Sequence, residues 1–273
     1  MAAEAARRAM AQAGVRAEEL DLIVLATITG DMPFPATACL VQAKLGATKA
    51  AAFDVSAACS GFLYALEIGQ QFVAAHTYNT VLVIGAEKLS AVMDWTDRNT
   101  CVLFGDGAGA VVLRSRGDES HGVLTTCMGS DGRHADLLKM PAGGSMQPAT
   151  HLTVDARLHT LRMAGREVFK QAVNAMNAAA TEALARCNLT GTDLALLIPH
   201  QANLRIIDAL AERIGIAREK IYINLDRCGN TSAASVPIAL DEAARAGRLK
   251  RGDYILMVAF GAGFTWAGCV VQW

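Results

Sequence analysis

Two stretches of this chain, 172 residues apart, run through the same succession of helical segments and short apolar runs. Ala13-Gly-Val-Arg-Ala-Glu-Glu-Leu-Asp21-Leu-Ile-Val-Leu25 parallels Cys187-Asn-Leu-Thr-Gly-Thr-Asp193-Leu-Ala-Leu-Leu197. A strand-to-helix turn at Cys59 is echoed near Asn230, and Val81-Leu-Val-Ile-Gly-Ala86 is echoed by Ile255-Leu-Met-Val-Ala-Phe-Gly-Ala262, at nearly the same offset. One apolar strand aligns with another easily, but three features in register point to an internal duplication. Continuous apolar runs alternating with helices predict α/β layers around mostly parallel sheets. The expected boundaries are a first half at 1–150 and a second at 151–273, with a polar, Gly/Pro-containing connector at 129–160.

Helices are expected at 2–13, 37–45, 60–75, 165–187, 204–214 and 233–246. Strands are expected at 21–28, 51–56, 80–86, 109–114, 122–128, 195–199 and 220–224, with a closing hairpin of 254–260 and 265–272. Composition supports a packed core. Apolar residues make up 52% and charged residues 19% of 273 positions, which excludes intrinsic disorder. The chain carries 51 alanines, small side chains suited to closely packed helices. Its formal charge of -1 leaves no global electrostatic footprint for nucleic acid or an anionic membrane.

Seven scattered cysteines without a C-x-x-C pair argue against a zinc site or a disulfide framework, and for a reducing, cytoplasmic setting. The first ten residues lack the apolar core of a signal peptide. The apolar runs fall short of the ~20 residues that span a bilayer. The sequons at Asn188 and Asn230 are therefore chance matches.

One cysteine stands apart. In Asp54-Val-Ser-Ala-Ala-Cys59-Ser-Gly-Phe62 the thiol sits where a strand ends and a helix begins, among small residues. Free backbone N–H groups and the helix dipole at such a place favour a thiolate, so Cys59 is expected to be a nucleophile with a lowered pKa. Cys39, Cys127, Cys187 and Cys269 lack that setting and read as inert core thiols. Pro199-His200-Gln-Ala-Asn203 puts a histidine at the carboxyl end of a strand, where ligand sites of α/β sheets gather. Gly229-Asn230-Thr-Ser-Ala-Ala-Ser-Val-Pro237 repeats that arrangement in the next unit. Taken singly, His200 reads as structural and Asn230 as a turn residue or N-cap. The duplication, however, sends Cys59, His200 and Asn230 to one centre. Gly261-Ala-Gly263 follows a core strand and can aim backbone N–H groups at an oxyanion. Gly105-Asp-Gly107-Ala-Gly109 lacks the dinucleotide spacing and precedes a strand, so it is not a cofactor loop.

These three motifs together resemble the beta-ketoacyl-[acyl-carrier-protein] synthase III family, initiating condensing enzymes with the thiolase-like fold, over the whole chain. The resemblance implies two pseudo-duplicated α/β halves stacked as an αβαβα sandwich. It also implies a Cys59–His200–Asn230 triad. Cys59 takes an acyl group from acyl-CoA; His200 and Asn230 then hold the thioester carbonyl of malonyl-acyl carrier protein during decarboxylation. The carbanion attacks the acyl-Cys59 carbonyl, whose oxyanion rests on the backbone N–H groups of Cys59 and Ala262; relatives usually carry glycine at the latter place. The His/Asn pair separates this class from elongating synthases, which use two histidines, and from degradative thiolases, which carry a second cysteine.

By the same resemblance Arg98 packs on the CoA adenine, Asn203 meets the pantetheine arm, and Phe34 crosses a homodimer to line the partner's acyl pocket. Arg205 holds the acidic acyl carrier protein. The Arg245/Arg248/Lys250/Arg251 cluster reads as a basic helix end. No cofactor and no metal are implied beyond the two thioester substrates. Relatives carry several dozen residues before the opening helix, including a strand expected at the centre of the first sheet, so the first half is expected to be incomplete. Two other readings stay open on sequence: a non-catalytic, dimerising, acyl-binding relative, and a priming synthase of quinolone or polyketide type.

Overall fold

The computed structural model describes residues 1–115 and 121–273. The chain opens with α1 (Ala2–Ala13), β1 (Leu22–Ala26), α2 (Thr37–Leu45), β2 (Ala51–Val55), α3 (Gly61–Ala74), β3 (Thr80–Lys88), β4 (Asp106–Arg114) and β5 (Gly122–Ser130). A small ribbon of β6 (Leu138–Lys139) and β7 (Arg162–Met163) encloses the short α4 (His151–Asp155). Then come α5 (Gly165–Arg186), β8 (Leu194–Pro199), α6 (Leu204–Ile214), the one-turn α7 (Leu225–Cys228), α8 (Ser235–Arg245), β9 (Tyr254–Gly261) and β10 (Thr265–Gln272).

The strands form two main sheets, ordered β2-β1-β3-β4 and β5-β10-β9-β8. In the first, β1 pairs in parallel with β2 and β3, while β4 runs antiparallel to β3. In the second, β8 and β9 are parallel and β10 is antiparallel to β9. The duplication is therefore real at the level of pairing, with β1, β3 and β4 matching β8, β9 and β10.

Strand periodicity divides the core. On β1, Leu22, Val24 and Ala26 face a central layer holding α3 and α8, which the inward residues of the second sheet also line. Ile23 and Leu25 face outward onto α1 and α2. On the far side, Leu256, Val258 and Val270 pack under α5 and α6. Both faces of each sheet are covered, which is why the strands read as unbroken apolar runs. The result is the αβαβα stack of the thiolase-like fold.

Two expectations fail. Residues 220–224 do not form a strand: a single parallel bridge joins Ile221 to Leu197, and 218–220 is a tight helical turn. The buried Gln201 side chain substitutes for a ladder, its Nε2 donating to the Tyr222 carbonyl at 3.1 Å and its Oε1 accepting from Asn224 N–H at 3.1 Å. Nor does the first sheet have a gap at its centre, since β1 and β3 are joined directly in continuous register. In the second sheet β5 lies at the margin, beside β10. The corresponding place in the first sheet is the outer edge of β4, which pairs with no other strand among the described residues.

Candidate active site

The strand carboxyl ends of both halves converge on a cavity of about 470 Å³ whose wall includes Cys59, His200 and Asn230. Cys59 sits in the helical turn Ala58–Ser60 that leads into α3. Ala58 before it is held at φ 45, a left-handed conformation that costs a non-glycine residue energy and persists only under tight packing. That packing is visible at Gly261, where an added Cβ would lie 2.5 Å from the Cys59 nitrogen. The end of β9 and the Cys59 turn are therefore in backbone contact.

His200 follows β8 and is almost fully buried. Its Nδ1 lies 2.7 Å from Ser235 Oγ. That hydroxyl also accepts the Gln201 N–H at 3.0 Å, which fixes the ring edge and leaves Nε2 for the cavity. Asn230 is clamped across the halves: its N–H donates to the Leu103 carbonyl and its carbonyl accepts from Gly105 N–H. Its side-chain Oδ1 accepts the Ser232 N–H at 2.8 Å. With the oxygen so engaged, the amide NH₂ is the end left to act as a donor.

Two family models match the chain, one described as 3-oxoacyl-[acyl-carrier-protein (ACP)] synthase III over residues 53–132 and one as its C-terminal part over residues 184–273. A beta-ketoacyl-[acyl-carrier-protein] synthase III of Caldanaerobacter subterraneus is 58% identical, the match spanning all of this chain and 82% of the relative. That of Clostridioides difficile is 51% identical, over the whole chain and 83% of the relative. Among solved structures, 3-oxoacyl-[acyl-carrier-protein] synthase III of Aquifex aeolicus superposes with a TM-score of 0.92 at 49% identity, covering all of this chain and 83% of that one. The priming beta-ketosynthase of the R1128 polyketide pathway gives 0.90 at 38%, covering 100% and 80%. This chain belongs to the beta-ketoacyl-[acyl-carrier-protein] synthase III family. It is an acyl-condensing synthase of fatty acid synthesis, and no described helix is long and apolar enough to cross a membrane.

Cys59 and His200 on this cavity are both neutral at pH 7. Burial pushes the Cys59 thiol up to about 12, opposed by the Ser232 hydroxyl and reinforced by the Glu87 carboxylate. The lowered pKa expected from the helix N-terminus is thus overridden: desolvation of the charged form outweighs the local dipole. Burial likewise pushes His200 down to about 4, so its imidazole is neutral.

The other expected positions separate. Asn203 and Arg205 line the cavity, Asn203 also capping α6 through the Arg205 N–H at 2.9 Å. Gly261 lines it but Ala262 does not; Ala262 lies just beyond, with no left-handed φ for its methyl group to oppose. Arg98 is exposed outside the cavity wall, which its neighbour Asn99 joins. Phe34 lies on a loop, 84% exposed and away from this wall. Arg166, Phe169, Met163, Leu138 and Phe260 line the cavity and were not foreseen. Arg166 at the start of α5 reads in sequence as a solvated helix end, although a cation there opposes the dipole; that mismatch was the signal available.

Proposed function

We propose that the chain primes fatty acid synthesis by decarboxylating Claisen condensation of an acyl-CoA with malonyl-acyl carrier protein, through Cys59, His200 and Asn230. The observation that carries this reading is the meeting of all three side chains on one cavity. Residues 1–150 supply the nucleophile and 151–273 the two donors.

In the first half-reaction the Cys59 sulfur attacks the acyl-CoA carbonyl. Neutral His200 takes the thiol proton at Nε2 while Nδ1–H donates to Ser235, and the proton leaves with the CoA thiol. In the second, Asn230 NH₂ and Nε2–H of His200 donate to the malonyl thioester carbonyl. Carbon dioxide departs, the enolate so stabilised attacks the acyl-Cys59 carbonyl, and the beta-ketoacyl product leaves on the carrier protein as Cys59 is released as a thiolate, which takes a proton from solvent to restore the resting thiol. The Ser235 hydroxyl suits both histidine tautomers, because it can accept from Nδ1–H or donate to Nδ1. Backbone N–H groups of Cys59 and Ala262 are assigned to the oxyanion.

Asn203 is assigned to the pantetheine arm, Arg205 to an acidic carrier protein and Arg98 to the CoA adenine. Exposed Phe34 and Met32 stand on the loop leading to α2, which packs against the edge strand β2. Such apolar surface fits a homodimer in which Phe34 enters the partner's acyl pocket. The chemistry runs on side chains and backbone alone, without cofactor or metal, and in the cytoplasm.

Intact-mass spectrometry after incubation with a panel of acyl-CoAs tests this. One acyl group should appear on the wild type and none on Cys59→Ala. An unmodified wild type with every acyl-CoA refutes the enzymatic reading and favours a non-catalytic acyl-binding relative.

A further inference from the structure

Glu87, at the end of β3, is a carboxylate that neither half-reaction uses, yet it is only 2% exposed. Among the described residues no basic side chain pairs with it, and every partner is a neutral donor. Thr27 Oγ1 donates at 3.2 Å, Ile28 N–H reaches both oxygens at 3.2 and 3.3 Å, and Thr29 Oγ1 donates as well. The remaining donor comes from the other half of the molecule: Ser232 Oγ, 3.1 Å from Oε1. Burying a carboxylate is costly, and this one is stabilised by hydrogen bonds rather than by an opposite charge.

Ser232 needs holding. Its φ of 49 lies in the left-handed region, which a serine adopts at a cost and keeps only when its surroundings demand it. Its backbone N–H is the donor that engages Asn230 Oδ1. The same turn also rests directly on β3, for a Cβ on Gly85 would lie 2.3 Å from the Ala233 carbonyl oxygen. The link from Glu87 to Asn230 thus runs through one residue: carboxylate to hydroxyl, strained backbone to amide oxygen.

We propose that Glu87 is a positioning residue of the condensing site, holding the Ser232 hydroxyl so that the Ser232 N–H fixes the Asn230 amide with its NH₂ turned to the cavity. This rests on the reading of Asn230 as a donor in the decarboxylation step. It separates the two half-reactions, because acyl transfer to Cys59 does not use Asn230.

The test measures both steps on Glu87→Ala: acetyl transfer to Cys59 from acetyl-CoA, and carbon dioxide release from malonyl-acyl carrier protein by enzyme already acetylated. Decarboxylation should fall by about tenfold or more and acetylation by less than about threefold, and Glu87→Gln, which keeps an oxygen for Ser232, should recover most of the loss. In an Asn230→Ala background Glu87→Ala should cost nothing further, as expected when two residues act through one interaction. Equal losses in both steps, or losses that multiply with Asn230→Ala, overturn the proposal. Should Glu87→Ala fail to fold, Ser232→Ala carries the decarboxylation expectation alone, measured on enzyme already acetylated, because its hydroxyl also faces the Cys59 thiol; decarboxylation unchanged in that variant overturns the proposal. Amide exchange at Ser232 gives an arm independent of turnover. It should quicken about tenfold in Glu87→Ala, and unchanged exchange rejects the tether. A wild type that never becomes acetylated counts against the reading of the site, whereas the exchange result still decides the role of Glu87.

Discussion

His200 carries a consequence for stability that can be worked out from its burial. Its folded pKa of about 4 lies below the ordinary 6.5, so between these values the unfolded chain takes up a proton that the folded chain refuses. The native state therefore loses stability as pH falls from about 6.5 towards 4, by roughly 3 kcal/mol for this residue. Denaturant titrations at pH 7.5 and 4.5 should show the loss, and His200→Gln should remove about that much of the difference. The raised thiol of Cys59 gives a companion expectation. At pH 7 its alkylation by iodoacetamide should be at least about tenfold slower than that of a free cysteine, as followed by peptide mapping. Fast alkylation would mean that the resting site already holds a thiolate. Cys59, His200 and Asn230 were legible because each stands in a run of small or turn-forming residues at a strand end. Glu87 was not, since Gly85-Ala-Glu87-Lys88 reads as a strand reaching solvent, and only the fold brings Ser232 over it.

Among the elements, β4 explains the glycine run Gly105-Asp-Gly107-Ala-Gly109, which does not have the spacing of a cofactor loop. Gly105, Gly107 and Gly109 present one side of the strand and its approach to the segment 228–238. An added Cβ would lie 2.2 Å from the Cys228 carbonyl oxygen at Gly105, 2.7 Å from Ile238 Cδ1 at Gly107 and 2.8 Å from the Ile238 nitrogen at Gly109. Glycine is required at Gly105 and Gly109, where backbone of the other half comes close, not for turning; at Gly107 the neighbour is the movable end of the Ile238 side chain. Gly105 N–H also holds the Asn230 carbonyl, so Gly105→Ala should displace Asn230 as well as strain the contact. A stability loss of about 2 kcal/mol is expected in thermal melts, with condensation reduced more than acylation. Helices 2–13 and 204–214 matched to the residue because amphipathic spacing and a following glycine mark them, and 37–45 because Gly46 in the left-handed region ends it. Residues 220–224 misled because apolar character specifies burial but not the partner, and here a glutamine side chain is that partner.

For the molecule as a whole, the central layer is decisive: α3 from the first half and α8 from the second fill one core between the sheets. Each half also lends structure to the other, since β5 pairs in the second sheet although it precedes the connector. Neither 1–150 nor 151–273 expressed alone should give a cooperative melt, and the intact chain should unfold in a single calorimetric transition. Two separated transitions would contradict a shared core. Sequence revealed the duplication but not this sharing, because periodicity shows that a face is buried without showing what covers it.

The outer edge of β4 also bears on how the protein behaves in a test tube. Ala110, Val111, Val112 and Leu113 lie only partly buried along it, in an open trough between α1 and α8. Among the described residues no strand uses the backbone donors and acceptors of this margin, which are flanked by apolar side chains and form a template for a further strand, from this chain or another. Residues 1–273 alone in concentrated solution should therefore scatter light increasingly with time, and Val112→Lys should suppress that scattering while sparing Cys59 acylation. Storage life, crystallisability and yield would then be governed by one strand margin remote from the chemistry.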